Sequence, residues 1–106
     1  MGQLDRLMER EELFRRSGLK LQDVAELLNT NRTYVTDCIK AAHGMSFSQY
    51  VNAYRVNYAK EQLIEQPDKK ISAIATDAGF STEVSFFRAF KALTGITPSE
   101  YRAQKD

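Results

Sequence analysis

Apolar residues in this chain recur three or four positions apart, in seven separate runs. Leu4, Leu7, Met8 and Phe14 fall on one face of a first helix, over about 3–16. Val24, Ala25, Leu27 and Leu28 mark a short second helix over about 21–28, and Val35, Cys38, Ile39 and Ala42 a third over about 32–43. Phe47, Tyr50, Val51, Tyr54, Tyr58 and Leu63 stripe a long fourth helix, about 47–65. Ile71, Ile74, Ala75 and Ala78 define a fifth over about 71–78. Phe86, Ala89, Phe90 and Leu93 define a sixth over about 83–94, and a short seventh covers about 98–104. No window alternates convincingly with period two. The pattern predicts an all-α chain of about seven helices.

The breakers sit between these runs. Gly18, Gly44, Gly79 and Gly95 each follow an amphipathic stretch, where a helix end favours a left-handed residue. Pro67 stops the long fourth run, and Pro98 suits a first helical position. Ser46-Phe47-Ser48-Gln49 and Thr97-Pro98-Ser99-Glu100 have the form of capping boxes. Asn31 and Thr82 are expected N-caps.

Two of these segments repeat one plan. Ala25 and Ala75 each follow an aliphatic residue and precede Asn29 or Gly79, the types best suited to positive φ. A few polar residues come next, then a second helix with an apolar anchor, Val35 or Phe86. That is a helix-turn-helix: two short helices at a steep angle, with alanine where a larger side chain has no room. The expected architecture is two such units, about 21–43 and 71–94, joined by the helix over 47–65.

In such a unit the outward residues at the start of the second helix are the ones that reach base edges. Those positions hold Arg32, Thr33, Thr36 and Asp37 in the first unit. In the second they hold Glu83, Val84, Ser85, Phe87 and Arg88. Arginine pairs with guanine, carboxylates accept from cytosine, and Val or Phe meets a thymine methyl. Asn31, Tyr34, Lys40, Thr82 and Lys91 are the expected phosphate contacts. A linker helix of this length spans about 28 Å, against about 34 Å between successive major grooves on one face of a duplex.

Composition narrows the alternatives. With 106 residues the chain is expected to form one domain. No apolar run approaches the ~20 residues that cross a bilayer, and a charged N-terminus has no secretory pattern. One cysteine excludes an internal disulfide, and a reducing, cytoplasmic setting is expected. One histidine, one cysteine and scattered carboxylates offer no metal site, cofactor site or catalytic constellation. Net charge is only +1, less than a nucleic-acid binder ordinarily carries, so local placement of cations must matter more than the total. Cys38 reads as a small buried group, His43 as a charge at a helix end, and Phe87 as either core or groove contact.

The string "GFSTEVSFFRAFKALTGITPSEYR", with Ile74-Ala75 before it, closely resembles the signature of AraC/XylS-type transcription regulators. "TNRTYV" and "FSQYVNAYRVNYAKEQL" resemble that family's first unit and linker helix, so the likeness covers about residues 19–103. "NRTYV" and "VNAYRV" are in the style of Bacteroides-like regulators. The resemblance implies a C-terminal DNA-binding domain whose two recognition helices enter successive major grooves of promoter DNA. It further implies an N-terminal sensor, receiver or dimerisation region elsewhere, with RNA polymerase a candidate partner and activation or repression both open. Lys20 and Lys70 stand where the family usually has a Ser or Thr cap, and Asp37 where it often has a basic or bulky residue. Asp37 either reads a cytosine or weakens its arm. Two other classes stay open on the residues alone: a helical module for protein contacts, and a small enzyme, which the residue inventory disfavours.

Overall fold

A break at Glu12 divides the N-terminal segment. In the computed structural model, which describes residues 2–104, helix α1 covers Gly2–Arg10 and a 3-10 turn follows at Leu13–Arg15. Glu12 between them has φ 50°. The single helix expected over 3–16 is thus two pieces, and helical geometry gives the reason. At about 100° per residue, Leu13 in a continuous helix would point opposite Leu4. Leu4, Met8, Leu13 and Phe14 are all buried, which only a break allows. Gly18 accordingly ends no helix, lies exposed in the following loop and lacks a positive φ.

The remaining helices are α2 (Leu21–Leu27), α3 (Arg32–His43), α4 (Phe47–Glu65), α5 (Ile71–Ala78), α6 (Glu83–Thr94) and α7 (Pro98–Gln104). All described regular structure is helical. Both capping boxes form. Ser46 and Gln49 exchange bonds of 3.0 and 3.2 Å at the start of α4. Thr97 and Glu100 do the same at 2.9 and 3.2 Å before α7. Lys20 and Lys70 are N-caps without a side-chain cap bond. At Lys20 the Asp23 carboxylate accepts from the backbone N–H instead, at 2.9 Å.

Two hydrophobic cores flank α4. The first gathers α1, the 3-10 turn, α2, α3 and the N-terminal half of α4, around Met8, Val24, Ala25, Val35, Ile39 and Tyr50. The second gathers the C-terminal half of α4 with α5, α6 and α7, around Val56, Leu63, Ile74, Ala75, Phe86 and Phe90. Tyr58 packs against both. The expected stripe on α4 is therefore two stripes. Tyr50, Val51 and Tyr54 point one way, while Val56, Ala59 and Leu63 point nearly the opposite way at about 100° per residue. Leu27, Ala42 and Leu93, expected on buried faces, are exposed, each at the end of its helix beyond the core. The molecule measures 44 × 22 × 22 Å, long enough to reach across two successive grooves.

Candidate nucleic-acid interface

The two turns match atom for atom in their hydrogen bonding. After α2, Asn29 has φ 57°. Its N–H donates to Glu26 O at 3.1 Å, and Thr30 N–H donates to Ala25 O at 2.9 Å. After α5, Gly79 has φ 107°. Its N–H donates to Thr76 O at 3.0 Å, and Phe80 N–H to Ala75 O at 3.0 Å. Each is a Schellman motif, which releases the chain from the helix in a fixed direction. Ala25 and Ala75 occupy the same place in it and are fully or almost fully buried, at 0% and 1% exposure. The second turn is one residue longer before its N-cap.

The caps then aim α3 and α6. Asn31 Oδ1 accepts from Tyr34 N at 2.8 Å, and Thr82 Oγ1 accepts from Ser85 N at 3.0 Å. In each helix the next two amides, of Arg32 and Thr33 or of Glu83 and Val84, have no acceptor within the helix. They form a partly positive end facing outward. At the far ends Gly44 and Gly95, both in left-handed conformation, donate back to the carbonyls of Lys40 and Lys91 at 2.9 and 2.8 Å. Lys40 and Lys91 are thus each the ninth residue of their helix, in matching positions.

Almost every expected contact residue lies on an outer face. Arg32, Thr33, Tyr34, Asp37 and Lys40 are exposed on α3, and Thr36 is half-buried. Glu83, Val84, Phe87, Arg88 and Lys91 are exposed on α6, with Thr82 at its start. Val35 and Ile39 in the first core, and Phe86 and Phe90 in the second, face inward and fix the rotation of the two helices. Among the described residues Arg32, Lys40 and Arg88 take part in no ion pair, so their charges are available to a ligand. Lys91 lies close enough to Glu100 to help hold its carboxyl below the usual range, after the Thr97 backbone and hydroxyl bonds that dominate.

Three residues differ from a plain solvated face. Val84 is 57% exposed and Phe87 41%. They sit three positions apart, one turn, on α6, with the Phe87 ring 5.8 Å from Phe86. Phe87 is therefore backed by the core and open on its outer side. Tyr34 is exposed on α3, and the neighbouring Cys38 thiol, one turn on, raises its phenol above the usual tyrosine range. Cys38 itself is half-buried. Ser85, by contrast, is turned inward on its own helix: its hydroxyl donates to Thr82 O at 3.0 Å and lies 2.7 Å from Thr82 Oγ1. A base contact from Ser85 would have to compete with these bonds.

The C-terminal ends of α3 and α6 converge on one groove, where His43 and Met45 face Ala89 and Leu93 across Asn52 of α4. His43 also reaches back to α1. Its Nε2 lies 3.4 Å from Asp5 Oδ1, which accepts from Tyr50 OH at 2.5 Å. Sequence reasoning assigned no role to Arg15, Arg55 or Arg102. The signal for Arg55 was a charge amid the apolar positions of α4, between Tyr54 and Val56.

A family model described as a helix-turn-helix domain matches residues 24–104. A protein of Bacillus subtilis described as the uncharacterised helix-turn-helix-type transcriptional regulator YtdP is 40% identical over 89 residues. That match takes in 84% of this chain and 11% of its own length. The Msm operon regulatory protein of Streptococcus mutans is 31% identical over 88 residues, 83% of this chain and 31% of its own. The chain thus spans about a third or less of the curated relatives it matches. Among solved structures, the C-terminal domain of AraT, a response regulator from Geobacillus stearothermophilus, is 34% identical with a TM-score of 0.81. It covers 89% of this chain and 77% of that one. The DNA-binding domain of AdpA, solved with a target DNA, shares the fold at 20% identity, with a TM-score of 0.82, over 95% of this chain and 89% of that one.

Proposed function

Because the chain belongs to the AraC-type helix-turn-helix family, we propose that it is the sequence-specific DNA-binding part of a bacterial transcription regulator. In this reading α3 and α6 enter successive major grooves on one face of promoter DNA. The observation that carries it is the composition of the outer face of α6. Val84 and Phe87, both open to water, stand beside Arg88, whose charge has no ion-pair partner among the described residues. Exposed apolar groups next to an available guanidinium suit a thymine methyl beside a guanine.

The roles follow from placement. Arg32, Thr33, Thr36 and Asp37 on α3 face bases, and so do Glu83, Val84, Phe87 and Arg88 on α6, while Ser85 reads a base only by giving up its bonds to Thr82. Asn31 and Thr82, with the amides behind them, hold phosphates, and Tyr34, Lys40 and Lys91 extend that grip. Such a module has no catalytic task, and it works in the cytoplasm as one portion of a longer regulator. Sensing, pairing and contact with RNA polymerase belong to that larger protein.

Binding to a mixed-sequence duplex, followed against salt, tests the reading. Four outward cations, Arg32, Lys40, Arg88 and Lys91, predict a log–log slope of about −2 to −4. A module built for protein contacts would bind no duplex, or bind with no salt slope.

A further inference from the structure

The two cores share no fully buried residue, and only the half-buried Tyr58 packs against both, so packing alone sets the angle between the two helix-turn-helix units weakly. Continuity of α4 is one further constraint. The other is a junction at the middle of that helix. The 3-10 turn of the first unit lies across it and reaches the second unit. Arg55 Nε donates to Phe14 O at 2.7 Å and Nη2 donates to Arg16 O at 2.8 Å. Arg15 Nε crosses to Asp77 O, at the end of α5, at 2.7 Å. The Arg15 guanidinium also lies over the Tyr58 ring, 4.7 Å from its centre, and that of Arg55 lies 5.8 Å from the centre of Phe80.

The position of Arg55 on α4 is telling. Tyr50, Val51 and Tyr54 face the first core and Val56, Ala59 and Leu63 the second. At about 100° per residue Arg55 falls in the seam between those faces. The fork of a guanidinium holds two carbonyls of the 3-10 turn at once, which fixes orientation as well as distance. The second unit is shaped to receive that turn. A Cβ on Gly79 would lie 2.4 Å from Phe14 O, 2.9 Å from Arg15 Cα and 2.9 Å from Arg55 Nε. The glycine thus serves two purposes: it ends α5 with a left-handed residue, and it lets the backbone of the other unit approach.

We propose that Arg55 is a positioning residue which, by clamping Phe14–Arg16 against the α5 end, sets the angle between the two units and so the spacing of the base blocks they read. The clamp stands on the geometry alone, while its consequence for spacing rests on the DNA-reading function above. Arg55 lies on α4, on neither recognition helix. It acts through the 3-10 turn, and the loss of its bonds leaves two carbonyls unpaired.

The clamp is tested without DNA by spin labels at positions 40 and 91 of the two recognition helices, in a Cys38→Ser background. The unaltered junction gives one narrow distance distribution. Arg55→Met broadens or shifts it, and Arg55→Lys, which keeps one donor, restores part of the narrowness. Val24→Ala, on α2 and so off the helix that carries the clamp, weakens the first core, so it lowers the melting temperature and leaves the distribution narrow. A distribution as narrow in Arg55→Met as in the parent overturns the clamp. With a selected duplex, one base pair inserted between the two blocks should cost the parent about tenfold or more in affinity and cost Arg55→Met clearly less. Equal losses in a folded Arg55→Met chain overturn the spacing claim. A parent chain that selects no sequence defeats the DNA reading instead, and the distance measurement then decides the clamp by itself.

Discussion

At the scale of residues, Arg88 and Tyr50 show how differently two side chains earn their places. Arg88 is exposed and unpaired by any described carboxylate, so it contributes little to folding and its worth lies in what it meets. Arg88→Ala should cost ~1–3 kcal/mol of specific binding and relax preference at one base of the selected site. The melting temperature should stay unchanged, and an unaltered base preference would contradict the assignment. Tyr50 is almost fully buried and donates to Asp5 across the first core. Burial, then that bond, pushes its phenol far above the ordinary range. A raised folded-state value means stability that is full below the ordinary tyrosine pKa of about 10 and is lost as pH climbs above it. Tyr50→Phe should therefore melt lower at neutral pH, having lost the Asp5 bond. Its melting temperature should also fall less between about pH 9 and pH 11 than the parent's. Parallel declines in the two proteins would show that Tyr50 does not carry the alkaline loss.

At the scale of elements, what was legible in the sequence was whatever is decided within one helix or its ends. The N-caps Asn31, Ser46 and Thr82 and the left-handed Asn29, Gly44, Gly79 and Gly95 bound their helices as the pattern predicts. The same local logic aligned Ala25 with Ala75, and the structure gives both the same carbonyl bond. Ala75→Leu should overpack that corner at a cost of ~1–3 kcal/mol, or roughly 4–8 °C of melting temperature per kcal/mol in a domain of this size. A melting curve like the parent's would remove the steric reason for alanine there. Legibility failed where a decision is taken across the fold. The break at Glu12 depends on Leu13 finding the first core, which periodicity over 3–16 does not reveal. The reversal of faces along α4 depends on two cores lying on opposite sides of one helix. The outer faces of α3 and α6 could be read from spacing, but the Arg15 and Arg55 junction could not. Its acceptors are backbone carbonyls 39 to 62 positions away in the chain, and carbonyls carry no sequence signal.

At the scale of the whole molecule, a net charge of +1 stands against a strongly basic surface, and the arrangement explains how a nearly neutral chain can still hold DNA. Lys40 and Lys91 are held outward at matching positions on two helices, Arg32 and Arg88 at other outward positions, and helix ends supply further partial charge. In the proposed reading each unit alone offers few phosphate contacts. Their sum depends on both units engaging at once, which in turn depends on a fixed angle between them. The most direct test of that account is selection of binding sites from random duplexes, with the winner's affinity followed against salt. The account predicts two short base blocks about one helical turn apart, with affinity falling steeply as salt rises. A single block, or binding indifferent to salt, would contradict the claim that α3 and α6 read one face of the DNA together.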